Sequence, residues 1–167
     1  PGVPVIDTSK QSEVEVRTVE INTAITDVVE RISPAVVTVL NFSSAALAQG
    51  SGSGVIYSAE GHVLTNYHVV EDAAYLEVVF ADGASAPAQL VGRDVYSDIA
   101  LLKALASVPG VAELGNSDVL RPGETVIAIG SPLGKFKNTV TVGVVSATGR
   151  ILDTKRGYQM EDMVQTD

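Results

Sequence analysis

Short β-type runs recur along this chain at intervals of very roughly ten residues, each bounded by turn formers, and that rhythm excludes most folds. The runs are AVVTVLN (35–41), GSGVIYS (52–58), HVLTN (62–66), YLEVVFADG (75–83), AQLVGRD (88–94), DIALLKA (98–104), ETVIAIG (124–130) and TVTVGVVSATGR (139–150). AEG, ADG and RPGE supply turns between them. The intervening segments are too short for the crossover helices that parallel strands require. The pattern therefore predicts an all-β sandwich or barrel of antiparallel strands. Val, Ala, Ile and Leu carry most of a 46% hydrophobic fraction, with aromatics at 5% and no Trp, and β-branched enrichment of this kind favours strands. A length of 167 residues suits one compact domain or two small, closely packed barrels.

One helix is expected ahead of the strands. In NTAITDVVERISP, Ile25, Val28, Val29 and Ile32 fall on one helical stripe, with Asn22 or Thr23 as cap and Pro34 ending the pattern. Residues 1–20 show no sustained period and read as a loose arm. The stretch SSAALAQGSGSG (43–54) is the softest in the interior. It reads as a flexible loop whose glycines let the next strand approach closely.

Charge and composition remove several functions. The net charge of −9, from 20 acidic and 11 basic residues, repels phosphate backbones, so nucleic acid is not expected as a partner. The absence of cysteine excludes disulfides, thiolate catalysis and cysteine-based metal sites. No apolar run approaches the roughly 18 to 20 residues of a membrane-spanning helix. The opening PGVPVIDTSKQSEVEV has neither the basic start nor the apolar core of a signal peptide, and a chain beginning at Pro1 is expected to be an excerpt or a processed product.

Two residues stand out chemically. His68, in LTNYHVV, sits where a strand ends and a short turn begins, which is where functional groups concentrate. Alone, it reads more readily as a structural or exposed ring than as a catalyst. Asp98, in YSDIALLK, directly precedes an apolar run read as a buried strand, and an unpaired charge there would cost several kcal/mol. Either it caps its own turn through backbone N–H groups, or it accepts a bond from a histidine Nδ1 and fixes the tautomer whose other nitrogen can take a hydroxyl proton. His62 lies close to His68 in sequence but has no obvious third ligand, and no metal or cofactor is expected. GSPLGKF (130–136) is one residue short between its glycines for a phosphate loop, with Phe136 where a hydroxyl should be. Asn41-Phe42-Ser43 matches a glycosylation acceptor, a pattern common by chance.

GSGVIYSAEGHVLTNYHVV, DVYSDIALLK, GETVIAIGSPLG, TVTVGVVSATGR and VQTD together resemble, in order and spacing, the HtrA (Deg) branch of chymotrypsin-like serine proteases. The resemblance spans most of residues 20–167. It implies a double β-barrel with the catalytic cleft between the barrels, His68 as general base and Asp98 as orienting acid of a Ser-His-Asp triad. On this basis residues 1–20 are an arm, 21–110 the first barrel, and 111–167 the start of a second, partial barrel.

In that family QTD is followed by GNSGG, which carries the nucleophile and the oxyanion donors, whereas this sequence stops at Asp167. A second chain or segment carrying that serine is therefore an expected partner, and residues 1–167 alone are expected to be inactive. Ser117, in GNSDVL, is a decoy because Asp118 and Val119 replace the two glycines. Ser97 and Ser131 also lack the serine-glycine-glycine context. The resemblance assigns loops 130–138 and 150–160 to control of the active site, with Arg150 matching an arginine at the start of the second; both segments read equally as exposed connections. It further implies unfolded or misfolded protein substrates, a homotrimer and an extracytoplasmic, bacterial-type location. The alternative is a peptide-binding or assembly module that keeps the protease scaffold without hydrolysis.

Overall fold

A computed structural model describes residues 23–45, 47–131, 139–154 and 157–167. The expected arm, Asn22 as a cap, and residues 132–138 of the glycine loop lie outside the described residues. The described residues divide into two units, 23–31 and 32–167.

Helix α1 covers residues 23–32, with Ile25, Val28, Val29 and Ile32 half-buried and the rest exposed. That is the stripe their spacing predicts. Pro34 does not end the helical path outright: a 3-10 turn, Ser33–Ala35, follows with proline in its first positions, where a missing N–H costs nothing.

The second unit is built of nine antiparallel strands among the described residues: β1 (Val36–Phe42), β2 (Ala48–Ile56), β3 (His62–Asn66), β4 (Tyr75–Val79), β5 (Ser85–Asp94), β6 (Ile99–Ala104), β7 (Thr125–Gly130), β8 (Thr139–Asp153) and β9 (Gln159–Thr166). A four-residue helix, α2 (Tyr67–Val70), follows β3. The first six strands close into a barrel in the order β1-β2-β3-β6-β5-β4, with β1 pairing back onto β4. Strands β7, β8 and β9 form a separate three-stranded sheet. This is the all-β arrangement the spacing implies and the chymotrypsin-like one the resemblance implies, with one barrel closed and the second sheet partial. Among the described residues no helix is long and apolar enough to cross a membrane.

Closure dictates the burial pattern, because in a barrel alternate residues of each strand face a common interior. Val63 and Thr65 of β3, Leu76 and Val78 of β4, and Ala100 and Leu102 of β6 point inward and are buried. With Val37, Val39, Ile56 and Phe80, all of these except the polar Thr65 form the apolar core, each large side chain contributing about 1.5–3 kcal/mol on burial. In the second sheet, Val126, Ile127 and Ile129 are half-buried, and Val142 and Val144 are exposed.

Two expectations need correction. The soft stretch 43–54 is a loop only in its first part, since β2 begins at Ala48 and its glycines lie in strand paired to β1. A Cβ on Gly52 would stand 2.4 Å from Val69 Cγ2, and one on Gly54 2.8 Å from Val63 Cγ1, so side chains of neighbouring elements occupy the space. Loop 150–160 likewise shrinks, because β8 continues through Asp153 and β9 starts at Gln159.

Candidate active site

The site arises where β3 ends and β6 begins. These strands are neighbours, and their register runs from His62↔Lys103 to Asn66↔Ile99. His68, two residues past the end of β3, is thereby set beside Asp98, one residue before β6. Their contact is direct: His68 Nδ1 lies 2.7 Å from Asp98 Oδ2, and the His68 backbone N–H donates to Asp98 Oδ1 at 2.9 Å. The Asn66 side-chain amide donates to Asp98 Oδ2 and to the Asp98 carbonyl, both at 3.2 Å, and the Tyr67 N–H donates to that carbonyl at 3.0 Å. Asp98 adopts φ +51°, a left-handed conformation that non-glycine residues hold only where their surroundings impose it.

Of the partners considered for Asp98, the structure shows the histidine ring, together with the His68 backbone N–H. The turn is capped by another residue: Asp94 Oδ1 accepts from the Tyr96 and Ser97 N–H groups at 2.9 and 3.3 Å, and its Oδ2 from the Ser97 hydroxyl at 2.9 Å. The Ser97 hydroxyl and N–H, with the Tyr96 N–H, hold the Asp94 carboxyl below its ordinary range. Asp98 is left to face the histidine. Burial pushes its carboxyl up, but the His68 N–H, the His68 ring and the Asn66 amide outweigh that and hold it below the usual value. It therefore stays ionised at neutral pH. The strand after it is not buried throughout, as the apolar run suggested: Ile99 is 48% exposed while Ala100 and Leu102 are fully buried, because period-two alternation turns every second side chain outward.

The His68 ring is 61% exposed, but its short helix is firmly seated. Asn41 of β1 donates from Nδ2 to the Val69 carbonyl at 3.1 Å and the Glu71 carbonyl at 2.9 Å, and Val69 packs over Gly52. The glycosylation reading of Asn41 thus gives way, since the residue is 4% exposed and its amide is engaged inside the barrel. The signal was available in AVVTVLN: a polar residue closing an apolar strand needs partners. Around His68, a cavity of about 380 Å³ is lined by Asn41, Gln49, Gly50, Ser51, Val69, Glu71 and Asp72. An apolar groove of about 440 Å³ has Asn66 and Ile99 in its wall, facing Ile127 and Ile129 of β7.

The remaining candidates lie elsewhere. His62 Nδ1 pairs with the Ser58 hydroxyl at 2.8 Å, at the opposite end of β3 from His68. Ser117 opens an exposed 3-10 turn, the Ser97 hydroxyl is held by Asp94, and Ser131 is buried with its N–H on the Ser53 hydroxyl at 2.8 Å. Arg150, expected to open a loop, is inside β8 opposite Met163, and its Nε donates to Gln165 Oε1 at 3.2 Å.

With Nδ1 bonded to a carboxylate, the imidazole keeps Nε2 as the nitrogen able to accept a proton, the arrangement of a general base held by an acid. A family model described as "Trypsin-like peptidase domain" matches residues 52–167. The "Serine protease Do-like HtrA" of Bacillus subtilis is 41% identical over 170 residues, covering 89% of this chain and 38% of that protein. A Pseudomonas fulva protein named "Probable periplasmic serine endoprotease DegP-like" is 48% identical over 120 residues, 72% of this chain and 24% of that protein. Among solved structures, "HtrA-type protease AlgW with tripeptide" superposes with a TM-score of 0.67 at 43% identity, covering 73% of this chain and 39% of that one. The chain thus spans well under half the length of each of these relatives.

Proposed function

The chain belongs to the trypsin-like peptidase family, on its HtrA branch, and from that premise we propose that it supplies the base and orienting acid of a serine endopeptidase. The observation that carries the reading is the 2.7 Å bond between His68 Nδ1 and Asp98 Oδ2. His68 Nε2 takes the proton of a serine hydroxyl as the oxygen attacks a peptide carbonyl, giving a tetrahedral oxyanion. The imidazolium, stabilised by the ionised Asp98, then returns that proton to the amine as the C–N bond breaks. Water repeats both steps on the acyl-enzyme and releases the acid product.

Residues 1–167 contain no Gly-Asn-Ser-Gly-Gly run, and we assign the nucleophile and oxyanion donors to such a segment, on the same polypeptide or another chain. Residues 21–110 then correspond to the first barrel and 111–167 to the opening of the second. Unfolded or misfolded proteins are the substrates, homotrimers the assembly, and the space outside the cytoplasm the location; the name of the Pseudomonas fulva relative supports the last. Arg150, tied to Gln165, takes a regulatory role.

Kinetics of a protein joining residues 1–167 to the Gly-Asn-Ser-Gly-Gly segment test this. Unfolded casein is cleaved, His68→Ala abolishes cleavage, and Asp98→Asn lowers turnover about 10⁴-fold through the wrong imidazole tautomer. Residues 1–167 alone cleave nothing. Casein bound but left intact by the joined protein would make the scaffold a binding module, and an Asp98→Asn loss under about tenfold would remove Asp98 from the orienting role.

A further inference from the structure

The turn from Asp94 to Asp98 is held from three separate parts of the chain. Asp94 caps it from within, and His68 and Asn66 grip its end through Asp98. The third hold comes from 63 residues away: the Tyr158 hydroxyl donates to the Val95 carbonyl at 2.7 Å. The Tyr158 ring also meets the Tyr96 ring edge-on, with centroids 5.5 Å apart and planes at 72°, a favourable aromatic geometry.

Tyr158 is itself anchored in the connection between β8 and β9. The Thr154 N–H and hydroxyl both donate to its carbonyl, at 2.9 and 2.7 Å, and its own N–H donates to the Thr154 hydroxyl at 3.4 Å. The phenol thus reaches the turn from a residue tied at its backbone to Thr154. The turn needs such support, because Asp98 has to hold a left-handed backbone while presenting one carboxylate oxygen to the His68 ring and the other to the His68 N–H.

We infer that Tyr158 is a positioning residue for the Asp98 carboxylate: by holding the Val95 carbonyl, its hydroxyl keeps the turn in the shape that aims Asp98 at the His68 ring. The inference rests on His68 and Asp98 being base and acid. It makes the β8–β9 hairpin a support of the acid, so a displacement of that hairpin is felt at the histidine through one hydrogen bond. A Tyr158 that only adds stability would leave the His68–Asp98 bond unchanged on losing its hydroxyl.

The test is NMR on residues 1–167 with labelled histidine, following solvent exchange of the His68 Nδ1–H proton. Tyr158→Phe keeps the ring against Tyr96 and removes only the hydroxyl. Ser58→Ala, which removes a hydroxyl from His62 at the far end of β3, is the comparison. Exchange is expected to quicken about fivefold in Tyr158→Phe, the factor one net hydrogen bond confers, and to stay as it was in Ser58→Ala. Unchanged exchange in Tyr158→Phe, or equal quickening in both variants, overturns the inference and leaves the acid–base reading standing. Absence of a slowly exchanging Nδ1–H in the unsubstituted chain overturns that reading, and the inference with it.

Discussion

Gly52→Ala should damage the site without touching either of its residues. The added Cβ would lie 2.4 Å from Val69 Cγ2, 3.1 Å from Cγ1 and 3.3 Å from Cβ, against an ordinary carbon–carbon separation of about 3.5–4.0 Å. Val69 must therefore retreat by roughly 1 Å. Rotation does not relieve this, because valine is stiff about χ1 and both methyls and the Cβ are already close. The backbone of α2 has to move, against the Asn41 bonds to the Val69 and Glu71 carbonyls. Overpacking of this kind costs about 1–3 kcal/mol. His68 immediately precedes Val69, and on the proposed role of His68 as base a displacement near 1 Å costs on the order of 10²-fold in rate. Gly50→Ala is the matched comparison: it lies in the same strand with nothing within 4 Å of a built Cβ, so it should be neutral or slightly stabilising, by up to about 1 kcal/mol. Urea midpoints of the two variants read the stability, and cleavage by the protein completed with its serine segment reads the rate. Adding Val69→Ala to Gly52→Ala should recover part of both losses, because it removes the two methyls in conflict. Gly52→Ala within about 0.5 kcal/mol of Gly50→Ala, with equal turnover, would show that α2 is not wedged as the distances indicate.

Asn41→Val keeps the volume of the side chain approximately but leaves the Val69 and Glu71 carbonyls without their donor, and should cost about 2–4 kcal/mol by urea unfolding, since each forfeited bond is worth on the order of 1–2; a change under about 0.5 kcal/mol would mean that water replaces the amide freely. Asp98 makes stability depend on acid. Its folded carboxyl lies below its ordinary value, where burial raises it and the His68 and Asn66 bonds more than compensate, so its contribution is complete above about pH 5 and is lost as pH falls through the unfolded value near 3.9 and then the folded one. Asp98→Asn should accordingly flatten the acid limb of a stability–pH curve between about pH 6 and pH 2, and an acid limb parallel to that of the unsubstituted chain would refute the assignment.

Strands with clean alternation were readable directly. HVLTN maps onto β3 residue for residue, because Val63 and Thr65 turn inward and its bounding turn is set by Gly61 at φ +89°. The glycine run before it gives no such signal. Gly52 and Gly54 have no side chains to alternate, and they are strand because β1 pairs beside them and because Val69 and Val63 need the room. Strand β9 was hidden for another reason: in QMEDMVQT only Met160 and Met163 are half-buried, three apart, and Asp162 takes a left-handed turn between them. The individual residues of the site could be singled out by their chemistry, and the resemblance joined them. Their contact depends on β3 lying beside β6, a long-range pairing that no local pattern expresses. Tyr158 is further from reach still, since nothing around it in sequence reveals that its hydroxyl meets Val95.

The closed barrel has a consequence for the order in which the chain acquires its chemistry. Strand β3 is made early in the sequence and β6 about forty residues later, so their ends meet only after the intervening hairpin has folded back and loop-closure entropy has been met. A nascent chain that has emerged only as far as β5 holds a histidine with no carboxylate opposite it. Oriented imidazole is thus a late product of maturation, and its appearance in a refolding experiment would time the completion of the barrel.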